Sequence, residues 1–102
     1  MNPLAFLGCA SRTLGLLATT LERWSDAQQH FEDALSMHSR MRARPWVART
    51  QHDYAKMLLA RDEPGDRDKA LALLEEAFGV AGELGMKALE ARVSALKAGG
   101  GS

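Results

Sequence analysis

The sequence has neither the cysteines of a disulfide-stabilised protein nor the pattern of a secreted one. Its 102 residues include one cysteine, Cys9, which excludes an internal disulfide, and the N-terminus shows no signal-peptide pattern. We therefore expect a reducing, cytoplasmic setting. No apolar run approaches the roughly twenty residues needed to cross a bilayer, so the sequence predicts a soluble protein with no membrane partner.

Net charge is absent as well. The 13 Lys and Arg residues balance the 13 Asp and Glu residues. Nucleic acids and anionic membranes are bound through a surplus of cations. We therefore expect no nucleic-acid partner.

Catalytic and metal-binding motifs are also missing. The chain has no glycine-rich phosphate loop, no nucleophile elbow and no HExxH sequence, so we expect neither enzyme activity nor a cofactor. His30, His38 and His52 do not share the i, i+4 spacing of a helical two-histidine site. They are predicted to be solvent-exposed side chains and not metal ligands.

What the sequence does contain is a repeat. A small residue, a large apolar residue four positions later and another small residue three later lie on one stripe of a helix. This pattern occurs twice, as Ala27, Phe31 and Ala34 and again as Ala70, Leu74 and Ala77. Because small side chains let a neighbouring helix approach closely, the pattern predicts two similarly packed helices.

The first half of the chain is predicted to form two helices. The first follows Asn2 and Pro3 and runs to about Leu21; its inward face is predicted to be Leu7, Leu14, Leu17, Ala18 and Leu21. Gly15 lies beside that face and is interpreted as a packing notch, since it has no Cβ. Ser25 and Gln28 have the spacing of a capping box at the head of the second helix.

The second half is predicted to form three more helices. One runs from Pro45 to about Arg61, one is capped by Asp66 and stops at Gly85, and a shorter one follows. No segment alternates as a half-buried strand does. We expect an all-α domain over 1–98, with repeat one over about 3–42, repeat two over about 45–84, a capping helix over about 86–98 and a flexible tail over 99–102.

These repeats resemble tetratricopeptide repeats (TPRs). The resemblance rests on the family's signature spacings, which are met by Leu14, Gly15, Ala18, Ala27, Phe31 and Ala34 and then by Tyr54, Ala55, Leu58, Ala70, Leu74 and Ala77. It implies antiparallel helical hairpins in a right-handed α-solenoid fragment. The elongated units are similar to the C-terminal repeat regions of bacterial signalling ATPases, cyclase-linked regulators and LuxR-type regulators, which implies a protein–protein interaction module of a larger regulatory protein.

The resemblance also implies a groove lined by the first helix of each unit. At the matching positions stand Cys9, Arg12, Leu16, Thr19, Arg49, His52, Lys56 and Leu59. Such a groove is basic with apolar gaps and would suit an acidic peptide; the alternative is that these are solvated side chains of a stacked array. Leu16 replaces an asparagine of the family's carboxylate clamp, which argues against that activity.

Self-association is a further expectation. Two repeats and a capping helix leave end helices without a neighbouring unit, and a bare apolar face seeks a partner. We therefore expect a homo-oligomer formed through the first helix or through the last two. The alternative function is a structural spacer or self-association element without a groove.

Overall fold

The computed structural model describes the backbone of residues 3–100 and the side chains of residues 11–98. Five helices account for nearly all of this range: α1 (Pro3–Thr20), α2 (Trp24–Arg40), α3 (Arg44–Arg61), α4 (Asp66–Leu84) and α5 (Lys87–Gly100). No strand occurs among residues 3–100, so the prediction of an all-α protein is confirmed.

The last helix extends beyond its predicted end at about residue 98. It continues to Gly100, so the backbone of residues 99 and 100, which were predicted to belong to the tail, is helical. Residues 101 and 102 lie outside the described range.

The ends of the helices were predicted with mixed success. Gly85 adopts a left-handed conformation (φ 71°) at the end of α4, as a glycine cap should. The capping box at Ser25 was wrong, because α2 already begins at Trp24 and its N-cap, Arg23, makes no side-chain capping hydrogen bond. The N-cap of α4 is Gly65 and not Asp66.

Asp66 instead closes the loop before α4. Its Oδ2 and Oδ1 accept hydrogen bonds from Nε and Nη2 of Arg61, both at 2.8 Å. Oδ2 also accepts the backbone N–H of Glu63 at 3.0 Å. The hydrogen bonds from Arg61 hold the pKa of Asp66 below its usual value. The loop at residues 62–65 is therefore braced by a bidentate ion pair.

The repeated small and large residues form the core. The six side chains of the two patterns are all fully buried: Ala27, Phe31, Ala34, Ala70, Leu74 and Ala77. Phe31 stacks on Tyr54 of α3 with ring centroids 5.6 Å apart. Because both sets are fully buried, α2 and α4 contribute equivalent positions to the core, as the repeated pattern predicted.

Gly15 is a packing notch, as predicted. A Cβ added there would lie only 2.8 Å from Cε1 of Phe31. The absence of a side chain at Gly15 is therefore what lets the Phe31 ring lie against α1.

The helices pack in chain order. α1 contacts α2, α3 contacts α4, and the two pairs meet through α2 and α3, while α5 rests on α4. In addition, α1 touches α3 and α3 touches α5. The helices α1, α3 and α5 therefore line one side of the molecule, with α3 in the middle.

The predicted inward face of α1 was wrong in its large residues. Leu14, Leu17 and Leu21 are 47%, 56% and 59% exposed, whereas Ala18 is buried. The reason is that Gly15 and Ala18 let α2 come close, and this turns the neighbouring leucines outward. Leu7 lies outside the residues whose side chains are described.

Candidate functional site

A cavity of about 530 Å³ opens where α1, α3 and α5 converge. This volume lies within the range of roughly 300 to 1,000 Å³ found for ligand pockets. Its lining consists of Arg12, Trp46, Arg49, His52, Asp53, Met86, Lys87, Ala88, Leu89 and Arg92. The cavity is the place where side chains from the first helix of each predicted unit meet.

Three of the predicted groove residues, Arg12, Arg49 and His52, line this cavity. The others do not. Leu16 and Leu59 are partly buried against the core, and Oγ1 of Thr19 donates a hydrogen bond to the carbonyl of Gly15 at 2.7 Å. Lys56 is exposed and the side chain of Cys9 lies outside the described residues.

Asp53 is the only carboxylate in the lining, and it is already fully engaged. One oxygen, Oδ2, accepts a hydrogen bond from Nε of Arg12 at 2.6 Å, and Oδ1 lies 3.0 Å from Nδ1 of His52. Asp53 is 8% exposed. Because a carboxylate in such a place needs partners, Arg12 and His52 satisfy a charge that would otherwise be costly, and Arg12 ties α1 to α3.

The remaining cations of the lining have no acidic partner. Arg49, Lys87 and Arg92 form no ion pair within the described part of the chain, and the sequence outside it, residues 1–10 and 99–102, contains no Asp or Glu. The guanidinium of Arg49 lies over the ring of Trp46, 5.1 Å from its centroid. A chain with no net charge therefore gathers a local excess of positive charge at one cavity.

Sequence reasoning missed much of this lining. Trp46, Asp53, Lys87 and Arg92 were not among the residues that the resemblance placed in the groove. One signal was available, because α5 follows the two predicted units and so stands where the first helix of a third unit would be expected. Extending the groove to α5 would have placed its cations beside those of α3.

His38 lies behind the cavity wall and is fully buried, so its predicted exposure was wrong. Its Nδ1 is 3.5 Å from Oγ1 of Thr50, its ring stacks on Trp46 at 5.9 Å, and its Nε2 has no partner among the described residues. Burial, and secondarily the charge of Arg12, lower its pKa. His38 is therefore a neutral core residue.

His52 is also less exposed than predicted, since only 13% of its side chain is accessible. Among the described residues there is no group of three or more His, Cys, Asp or Glu that could hold a metal ion.

None of the helices, over the residues that the structure describes, combines the length and the apolar character of a membrane span.

No protein-family model, curated protein or solved structure matches the chain.

Proposed function

We propose that the chain is a TPR-like interaction module that docks an acidic segment of another protein in the cavity between α1, α3 and α5. The observation that carries this proposal is the charge of the lining, in which four side chains are cationic and the one carboxylate, Asp53, is already hydrogen-bonded by Arg12 and His52. The resemblance implies a cytoplasmic regulatory or signalling protein of bacteria as the setting.

The repeat character of the module is supported by the core. The two small–large–small sets are equally buried, and the helices contact one another in chain order, with additional contacts between α1 and α3 and between α3 and α5. Stacked helical hairpins produce this pattern, because each unit contacts only its neighbours.

An acidic segment suits the cavity for two reasons. Arg49 and Arg92 can form charge-assisted hydrogen bonds with carboxylates, which are about twice as strong as neutral ones. Trp46 and Met86 supply apolar surface beside them.

A random peptide display library tests the proposal. Peptides selected on the native protein should be enriched in Asp and Glu, and they should be lost when Arg49→Glu and Arg92→Glu are combined. Arg12 is left unchanged because its bond to Asp53 is structural. The matched control is Arg67→Glu, since the Arg67 side chain is exposed and forms no hydrogen bond, ion pair or ring contact with a described residue. Selection without acidic enrichment, or binding that survives the double charge reversal, would refute the proposal.

Self-association is a second candidate function, favoured by one observation. Leu14 and Leu17 on α1 and Leu21 just after its end lie three and four residues apart and are each about half exposed, which is the spacing of an apolar seam between two helices. A second copy of the chain could cover this seam through a two-fold interface. Its test is among the predictions of the Discussion.

A further inference from the structure

We infer that the cavity selects a phosphoryl group, a phosphate monoester carrying two negative charges, over a carboxylate, with Arg49, Lys87 and Arg92 as its ligands. This inference deepens the proposed function, because it names the chemical group that the same cavity recognises. It covers both a phosphorylated side chain of a partner and a small phosphorylated molecule, which share this chemistry.

The balance of charge in the lining is the first argument. Arg12 and Asp53 neutralise each other through their 2.6 Å contact, which leaves Arg49, Lys87 and Arg92 without an acid. One carboxylate would offset only one of these three charges. A phosphate monoester carries about −1.5 to −2 charges at pH 7 and three acceptor oxygens, so it matches three donors better.

The position of Lys87 is the second argument. Lys87 is the first residue of α5, where the positive end of the helix dipole disfavours a cation. The first turn of α5 contains one acid, Glu90, and Lys87 forms no ion pair with it. An anion seated in the cavity would relieve this repulsion, and the N-terminal end of α5 would then contribute to its binding.

The stacking of Arg49 is the third argument. Its guanidinium lies over Trp46, which in turn stacks on the buried ring of His38. A planar guanidinium held on an aromatic ring keeps its donors directed outward and loses little entropy on binding. The contact with Trp46 restricts the Arg49 side chain, and its guanidinium can donate two parallel hydrogen bonds, the geometry that phosphate oxygens accept.

The experiment compares three blocked, otherwise uncharged pentapeptides whose central residue is serine, glutamate or phosphoserine, together with free O-phosphoserine. Titrations are followed by amide chemical shifts at one fixed ionic strength. At pH 7.5 the phosphoserine peptide should bind about tenfold more tightly than the glutamate peptide, and the shifts should lie at Arg49, at Arg92 and at the start of α5. At pH 5 the advantage should shrink, because the phosphate loses its second charge near pH 6.

Three single variants test the ligands. Arg49→Gln, Lys87→Gln and Arg92→Gln should each weaken phosphoserine binding about tenfold, whereas the control Arg67→Gln should not change it. Thermal melts show whether each variant remains folded. The free Lys87→Gln protein should be at least as stable as the native one, because it removes a cation from a helix N-terminus, although it binds the phosphorylated peptide less well. If Lys87 had only a structural role, its substitution would not weaken peptide binding while leaving the thermal stability unchanged or higher.

Each outcome decides a specific point. Equal affinity for the glutamate and phosphoserine peptides overturns the phosphoryl inference and supports acidic docking. No binding of any probe overturns both proposals. Free O-phosphoserine binding as tightly as its peptide supports phosphoryl recognition but overturns peptide docking, and the ligand is then a small phosphorylated molecule.

Discussion

Replacing Gly15 by alanine tests the packing of the first two helices directly. The added Cβ would lie 2.8, 2.9 and 3.0 Å from three carbons of the Phe31 ring. Phe31 is fully buried and stacked on Tyr54, so the ring has no free direction in which to move. Overpacking of this kind costs about 1 to 3 kcal/mol.

Replacing glycine by alanine also has a stabilising effect, which can be measured alone at a second glycine. Alanine stabilises a helix interior by about 1 kcal/mol relative to glycine. At Gly79 in α4 a Cβ would meet nothing within 4 Å, so Gly79→Ala should gain this amount without a clash. Gly15→Ala should instead lose about 1 kcal/mol net, so the two variants should differ by about 2 kcal/mol in the free energy of unfolding.

Urea unfolding followed by circular dichroism measures both variants. A domain of this size changes its melting temperature by about 4 to 8 °C per kcal/mol, so thermal melts should separate them clearly. Adding Phe31→Leu should remove most of the penalty of Gly15→Ala, in a double-mutant cycle against Phe31→Leu alone. If Gly15→Ala stabilises the protein as much as Gly79→Ala does, the ring does not lie against α1 and the described packing is wrong.

Three further predictions concern charge and exposed surface. The free energy of unfolding should fall as the pH drops below about 6.5, because His38 protonates in the unfolded chain at a higher pH than in the folded one. In thermal melts, the stability of His38→Leu should lack this part of the pH dependence. Arg61→Gln should lower the free energy of unfolding at neutral pH by about 3 kcal/mol. Below pH 3.8, where Asp66 of the unfolded chain takes up its proton, the variant should lose less stability with falling pH than the native protein does. Urea unfolding at several pH values measures both effects. Sedimentation should show a dimer that Leu14→Glu with Leu17→Glu converts to the 11.1 kDa monomer, and a native monomer at high concentration would contradict self-association.

The sequence predicted the features that depend on residue size. The spacing of Ala27, Phe31 and Ala34 and the matching set in α4 led to the correct core positions, because a small residue marks where two helices touch. Gly15 was predictable for the same reason. The break between α4 and α5 followed from Gly85, whose left-handed backbone favours glycine.

The face of α1 could not be predicted from periodicity. The helix carries two adjacent apolar stripes, one of Gly15 and Ala18 and one of Leu14, Leu17 and Leu21. Periodicity shows that both are apolar, but only the neighbouring helix decides which is buried. In this fold α2 packs against the stripe of Gly15 and Ala18, because the Phe31 ring occupies the space next to Gly15.

The cavity was predicted in part, because its residues come from three separate helices. Arg12, Arg49 and His52 were expected from the resemblance, which implied a groove lined by the first helix of each unit, and all three line the cavity. The contribution of α5 was missed because the implied groove came only from the first helix of each of two units, and the last helix was predicted only as a cap. His38 was missed because a histidine in a helix carries no sequence signal of burial.

The paired and unpaired charges of the cavity have different explanations. The contact of Arg12 with Asp53 joins α1 to α3, so stability accounts for it, and it needs no ligand. Arg49, Lys87 and Arg92 join no helices through an acid, and like charges around one cavity repel each other. No ion pair among the described residues accounts for Arg49, Lys87 and Arg92 lining one cavity, whereas binding an anion would, and for that reason the phosphoryl inference rests on these three side chains and not on Arg12.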